Sequence, residues 1–408
     1  MELNQEDARR LLLEGGTLLV LDVPEGTNFG IDLKSWETGE RFKGVKMIPP
    51  GLHFVYHSAV GQYGDTAPRI GFVHNFKKGE IVLKKWDAEA GEIDHNKTVT
   101  DEELQRIRAN IYDVDRFLGP YPYEIWDKWK MLSDKITEPL AKRLVPDSGV
   151  IRSALELVSQ GNVKTESDKV KTTDQSCEPN ESTPETSSPS SKHSCPTSDD
   201  VGSFKRRRHG RPLTVEEIEE ELLPELKPAP GTALRLTRFP ELYYPPGSTP
   251  AEITYHSMDS SYALKTVLEQ HAVPGDLVGE LQFSFLCFLV GQSLEAFEHW
   301  KQLVQLICNC EKAIKDYHNL YEDLMWALEA QLWEIQEDFL ADIVTNNNSI
   351  YAALRRLFRA ILSPDNDMEP RLKTRTARFA ERLTEKLAWD FSDINEEEED
   401  EKPVVVDL

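Results

Sequence analysis

The sequence predicts an α+β multidomain protein: a β-rich N-terminal domain with helices, a disordered linker, an all-α C-terminal domain, and an acidic tail ending in a short strand. Three observations predict it. Short apolar runs broken by Gly, Pro and Asn fill the first third of the chain, and apolar residues recur at three- and four-residue steps after Leu213. Between them lies a stretch with almost no large apolar side chain, which cannot bury enough surface to offset its ordering entropy. These shifts place the β-rich domain at 1–160, the linker at 161–212, the helical domain at 213–391 and the tail at 392–408. At 408 residues, 39% hydrophobic and 9% aromatic, the chain is expected to form two cores.

The opening MELNQEDARRLLLEGG reads as an amphipathic charged helix and not as a signal peptide. TLLVLDVP, KMIPPGLHFVYHSAV, PRIGFVHNF and GEIVLKKW then read as strands joined by tight turns, predicting a small, mainly antiparallel sheet. Asp101, Glu102 and Glu103 open a helix capped by Thr100, with Leu104, Ile107, Ile111, Val114 and Leu118 at helical spacing. It stops at GPYPY, where Gly119, Pro120 and Pro122 forbid continuation, and a further helix runs through WDKWKMLSDKI.

The linker carries two proline-directed kinase motifs, Thr183-Pro184 and Ser188-Pro189, where the residue before proline is already extended. It ends in FKRRRHGR, whose Lys205, Arg206, Arg207 and Arg208 form the one concentrated basic patch, either a nuclear-import signal or a solvated charge run. In the second half, Thr249 as N-cap and Pro250 at the first helical position start a helix through TPAEITYHSMDSSYALKTVLEQ. DLVGELQFSFLCFLVGQ, SLEAFEHWKQLVQLICNCEKA, DYHNLYEDLMWALEAQLWEI and SIYAALRRLFRAIL each carry apolar stripes. Short connections predict antiparallel neighbours in a bundle or small solenoid, with no repeat of constant length.

A formal charge of −24 argues against affinity for nucleic-acid backbone and suits a basic partner. The run LQFSFLCFLVG is about half the length that spans a bilayer, so no membrane partner is expected. Cys177, Cys195, Cys287, Cys308 and Cys310 are odd in number and badly spaced for a disulfide framework, and read as free thiols. Phosphate-binding, hydrolase-elbow and zinc-protease motifs are all missing, and no cofactor or metal is implied. His53 and His57 sit four apart on one face of a strand and could begin a metal site, or be ordinary histidines of the sheet.

The tail gathers Asp390, Asp393, Glu396, Glu397, Glu398, Glu399, Asp400 and Glu401 before Lys402, and such self-repulsion extends a chain. Pro403 excludes helix, and Val404, Val405 and Val406 favour strand. A lone strand is unstable in water, so these valines either fold back on the N-terminal sheet or complete the sheet of a partner.

EGTNFGIDLKSWETGERFKGVKMIPPGLHFVYHS, FLGPYPY, TPAEITYHSMDSSYAL, GELQFSFLCFLVGQSLEAFEHWK and the terminal PVVV together resemble the AAR-two (a-one/alpha-two repression) splicing factor family. The resemblance implies a non-enzymatic assembly factor of the U-five small nuclear ribonucleoprotein. It implies binding to the ribonuclease H-like and Jab/MPN-like domains of pre-mRNA-processing factor eight, delaying the RNA helicase and RNA. Val404, Val405 and Val406 then inherit, by position, the strand added between the two partner domains. Cytoplasmic and nuclear residence is expected. Two other readings stand beside it: a metal-dependent hydrolase using His53, His57 and nearby acids on the N-terminal sheet, and a general nuclear adaptor.

Overall fold

The computed structural model describes residues 14–61, 63–95, 101–155, 157–159, 226–335, 348–364, 366–391 and 394. The predicted opening helix up to Leu13, the Thr100 cap, the linker motifs and basic patch, and the tail from Asn395 lie outside the described residues.

The β-rich region is two sheets rather than one. Its strands are β1 (Gly16–Leu21), β2 (Asn28–Ile31), β3 (Lys34–Glu37), β4 (Gly44–Ile48), β5 (Gly51–Ser58), β6 (Ile70–Phe76), β7 (Ile81–Asp87), β8 (Glu92–Asp94), β9 (Leu118–Pro120) and β10 (Ile151–Arg152). They order as β8-β7-β1-β4-β9 and β10-β6-β5-β2-β3. The pairing is mainly antiparallel, as expected, and the second sheet is so throughout, but β1 with β7 and β4 with β9 are parallel, and two sheets replace the single one expected. Parallel pairing follows from the long connections that return β7 and β9 beside earlier strands. Gly44, at φ +133°, lets β4 approach β1 closely; a Cβ there would stand 1.9 Å from the Leu18 carbonyl oxygen.

The helix predicted from Asp101 to Leu118 is cut short. α1 (Asp101–Ala109) and α2 (Ile111–Asp115) are separated at Asn110, and Leu118 is buried in β9, paired with Gly44. A ladder to β4 replaces the last helical turn. α3 (Trp126–Ser133) and α4 (Glu138–Leu144) follow, α4 capped by the Thr137 side chain, which accepts from the Leu140 amide.

The second half is helical: α5 (Pro250–Met258), α6 (Ser261–Leu268), α7 (Asp276–Leu289), α8 (Leu294–Cys308), α9 (Glu311–Asp316), α10 (His318–Leu332), α11 (Ser349–Leu362) and α12 (Pro370–Leu387). The predicted start at Thr249 and Pro250 holds, reinforced by a capping box with Glu252. The single helix expected beyond it breaks, because the Asp259 carboxylate accepts from the Ser261 amide at 2.9 Å and the Ser260 amide bonds the Asn309 carbonyl at 2.8 Å. α7 is buried nearly all round, and no helix among the described residues is long and apolar enough to cross a membrane.

Two hydrophobic clusters form, but they do not divide at the linker. One fills the space between the sheets with Leu18, Phe29, Ile31, Val45, Val55 and Trp86. The other holds the helices and also Phe54, Tyr56, Trp129, Leu132, Leu140 and Ile151 from the first 156 residues. β5 is the partition: its period of two sends Val55 into one cluster and Phe54 and Tyr56 into the other. α3 and α4 pack on α7, and a Cβ at Gly279 would stand 2.4 Å from the Lys135 carbonyl oxygen. Residues 157–228 are a separate unit, whose described part is an antiparallel ladder of β11 (Leu157–Ser159) and β12 (Leu226–Pro228).

Candidate interaction surface

The sequence places the functional weight on the tail, and the structure fixes where the tail begins. Ala388, in the left-handed conformation at φ 53°, ends α12 and turns the chain back. Trp389 and Phe391 then pack on Tyr351 of α11, with ring centroids 5.7 and 5.3 Å away, and Phe391 also meets Phe358 at 5.0 Å. Arg359 Nε donates to the Ile394 carbonyl at 2.7 Å, and the Tyr351 hydroxyl donates to the Asp390 carbonyl at 2.5 Å. The root of the acidic segment is therefore seated on α11. Val404, Val405 and Val406 lie outside the described residues; ten residues beyond Ile394, Val404 can reach at most roughly 36 Å from that root. Thr183, Ser188, Lys205, Arg206, Arg207 and Arg208 also lie outside them.

Beside the root runs a groove between α8 and α11. It comprises adjoining cavities of about 630 and 590 Å³ that share Asn309 and Arg356, with Arg359 lining the second. Along its rim α5 has no buried residue, and Tyr243 and Met258 are exposed, Met258 by 76%. Exposed apolar side chains gathered in this way mark surfaces that meet other molecules.

The histidines of HFVYH have other work than holding a metal. His53 is fully buried, with Nδ1 at 2.7 Å from the Asp32 carboxylate and Nε2 at 2.8 Å from the Pro49 carbonyl. Asp32 also accepts from the Tyr121 hydroxyl at 2.6 Å and the Phe54 amide at 2.9 Å, so this network ties β5 to the loop after β2 and to the segment after β9. Burial and the Asp32 charge push the Tyr121 phenol far above its usual range. His57 Nε2 accepts from the Ile93 amide at 3.4 Å, and its ring meets Trp86 edge-on at 5.0 Å. Burial, with neighbouring His95 and Arg152, lowers His57 to about 3; burial, with Lys84 and Arg152, lowers His95 to about 4. Among the described residues no group of three or more His, Cys, Asp or Glu is placed to hold a metal ion. Cys287, Cys308 and Cys310 are free thiols, as the sequence predicts, and their burial pushes them up.

One residue escaped sequence reasoning. Glu280, fully buried on α7, accepts from Arg143 of α4 at 2.7 Å, from the Thr237 amide and hydroxyl at 2.6 Å each, and from His271 and His299 at 3.0 and 2.9 Å. Burial alone would raise its carboxyl; the bonds from His271, His299 and Thr237 outweigh that and hold it well below the usual carboxylate range. A lone acid inside the apolar run GELQFSFLCFLVG was its signal, since a buried charge must be paired.

Fold and surface thus define an α+β protein whose helical region is fused through a shared core to a double-sheet region, with Trp389, Phe391 and Ile394 seated on α11. The profile of the AAR2 N-terminal domain matches residues 14–146, and that of the AAR2 C-terminal repeat region matches residues 236–392. The chain is 39% identical to Protein AAR2 homolog of Mus musculus, 37% to that of Homo sapiens, and 33% to that of Caenorhabditis elegans. The first two alignments cover 100% of this chain and 97% of the relative, the third 93% and 95%. The chain belongs to the AAR2 family, the splicing-related factors that the quoted stretches resemble.

Proposed function

We propose that this protein is a non-enzymatic assembly chaperone of the U-five snRNP that binds the ribonuclease H-like and Jab/MPN-like domains of pre-mRNA-processing factor eight. While bound, it delays the RNA helicase and RNA. Membership of the AAR2 family over the whole chain is the observation that carries this reading. The tail supplies the mechanism: Val404, Val405 and Val406 complete a partner's β-ladder, from a tether rooted at Ile394 that sets their reach. Burying each valine is worth roughly 1.5–3 kcal/mol before the cost of ordering the tether, so the strand is one part of a larger interface. The net charge of −24 lets the factor compete with RNA for basic scaffold surface.

The protein acts in cytoplasm and nucleus, with Lys205, Arg206, Arg207 and Arg208 as its import patch and Thr183 and Ser188 as kinase targets. The decisive experiment is capture of the two scaffold domains, singly and together, by the full chain and by the chain lacking residues 403–408. Loss of joint capture on trimming is expected. Equal capture by both chains overturns the strand mechanism, and selective binding to unrelated sheet proteins would favour a general adaptor.

A further inference from the structure

We infer that the cavity where β2, β5 and the segment after β10 meet the turn from α7 to α8 binds an acidic residue of a partner peptide. Arg69 holds the carboxylate, and the apolar neighbours of that residue lie on Val60 and Leu294. The site belongs to the folded region and is independent of the strand mechanism proposed above.

The cavity has a volume of about 530 Å³, in the range of sites that take small ligands or single side chains. Stretches far apart in the chain build it: Asn28 and Ser58 from the sheet, Thr66 and Arg69 from the loop entering β6, Ser153 after β10, and Leu294 at the start of α8. Arg69 is held in place on several sides. Its Nη1 donates to the Val290 carbonyl at 2.5 Å, its Cζ lies 4.3 Å from the centre of the Tyr56 ring, and its own carbonyl accepts from the Ser153 amide at 2.9 Å. A guanidinium has five N–H donors, so these contacts orient it without using it up.

What Arg69 lacks is a counter-charge. It is half-buried, and burial lowers its pKa, yet among the described residues no carboxylate lies within ion-pair distance of it. Arg143, Arg152 and Arg375, by contrast, each lie against one, in Glu280, Glu92 and Glu329. The cavity lining contains no acid, although the chain has 71. A partly desolvated cation favours an anion, and the planar fork of arginine matches a carboxylate. One carboxylate leaves the pair neutral, whereas a phosphate dianion would leave an excess negative charge. Two buried polar atoms in the wall, Arg69 Nε and Asn28 Oδ1, have no hydrogen-bond partner, and such orphans are rare in folded proteins. A peptide brings both missing kinds of group, an anion and N–H donors. Ser58, Thr66 and Ser153 add hydroxyls, and the positive end of the 15-residue α8 adds to the attraction. The rim is apolar: Leu294 is 66% exposed, and Val60, bridged to Thr66, is 42% exposed.

The test titrates the full chain, methyl-labelled at leucine and valine, with a capped pentapeptide that carries one glutamate between two leucines. At 0.15 M salt the screening length is about 8 Å, so the negative charge of the rest of the chain is largely masked. The methyl signals of Val60 and Leu294 are expected to shift, and a glutamine twin of the peptide to bind at least about tenfold more weakly. Arg69→Gln should abolish the preference for glutamate. Because that change also removes the contacts to Val290 and Tyr56, Thr66→Val/Ser153→Ala serves as a second variant: it should weaken the glutamate peptide about threefold or more with the melting temperature unchanged. Equal binding of the two peptides, shifts confined to other methyls, or no shifts at about 10 mM peptide overturn the proposal. So does a phosphoserine twin that binds more tightly than the glutamate peptide, since the charge balance would then be wrong.

Discussion

Lowering the pH from 7.5 to 5.0 should weaken this protein through His57, and the size of the effect follows from its burial. The sign is fixed by linkage: a histidine whose folded value is lowered takes up its proton in the unfolded chain first, so stability is complete above 6.5 and is lost as pH falls below it. With His57 lowered to about 3, the folded ring is still neutral at pH 5.0 while the unfolded ring has passed 6.5 by 1.5 units. At about 1.4 kcal/mol per unit, that is about 2 kcal/mol, and the result does not depend on where below 5 the folded value lies. His95, lowered to about 4 and so also still neutral in the folded chain at pH 5.0, adds a loss of the same sign and of about the same size. The measurement is urea unfolding at both pH values followed by tryptophan fluorescence, for which Trp86 beside His57 is a local reporter. His57→Gln keeps an acceptor for the Ile93 amide and removes the titration. The variant should start less stable at pH 7.5 yet lose about 2 kcal/mol less than the parent between the two values. If parent and variant fall by the same amount, His57 is not held neutral by its burial and the reasoning fails.

Glu280→Gln should cost about 3–5 kcal/mol in urea unfolding at pH 7, because an amide nitrogen would confront donors from Arg143, Thr237, His271 or His299 in a dry site. With a carboxylate, the stability is present above about 4.5 and is lost as pH falls below that value, so the parent should show an acid-side loss that the variant lacks. Gly279→Val should destabilise by about 2 kcal/mol or more, since the Lys135 carbonyl and Leu140 stand where its side chain must go; a melting temperature unchanged from the parent would refute the close approach. Phe391→Ala removes a ring packed on Tyr351 and Phe358 and should raise hydrogen exchange in residues 389–394 by at least about tenfold while leaving exchange in α7 unchanged.

Period and punctuation made much of this fold legible. The strand runs of the first third, the Thr249–Pro250 helix start and the apolar stripes of α7, α8, α10 and α11 all rest on local chemistry, and each stands where the sequence puts it. Misreadings arose where distant backbone competed with local preference. Leu118 has helical spacing to Val114 but pairs with Gly44 instead, and Ser260 leaves its helix to bond Asn309. His53 and His57 share a face as predicted, yet only the fold supplies Asp32, 21 residues from His53, and the Ile93 amide. No periodicity in a single segment encodes such partners.

By itself the sequence determined the strand-rich character of the first region and the helical character of the second, the acidic charge, and the family, because turn residues, apolar spacing and long ordered motifs are properties of contiguous residues. The tertiary structure alone decided that α3 and α4 pack with the helical region, that β5 serves two cores at once, that Glu280 joins Arg143 to two histidines, and that the tail begins at Arg359 on α11. Those outcomes turn on which surfaces exclude water together, and that is settled only when residues far apart in the chain compete for the same neighbours.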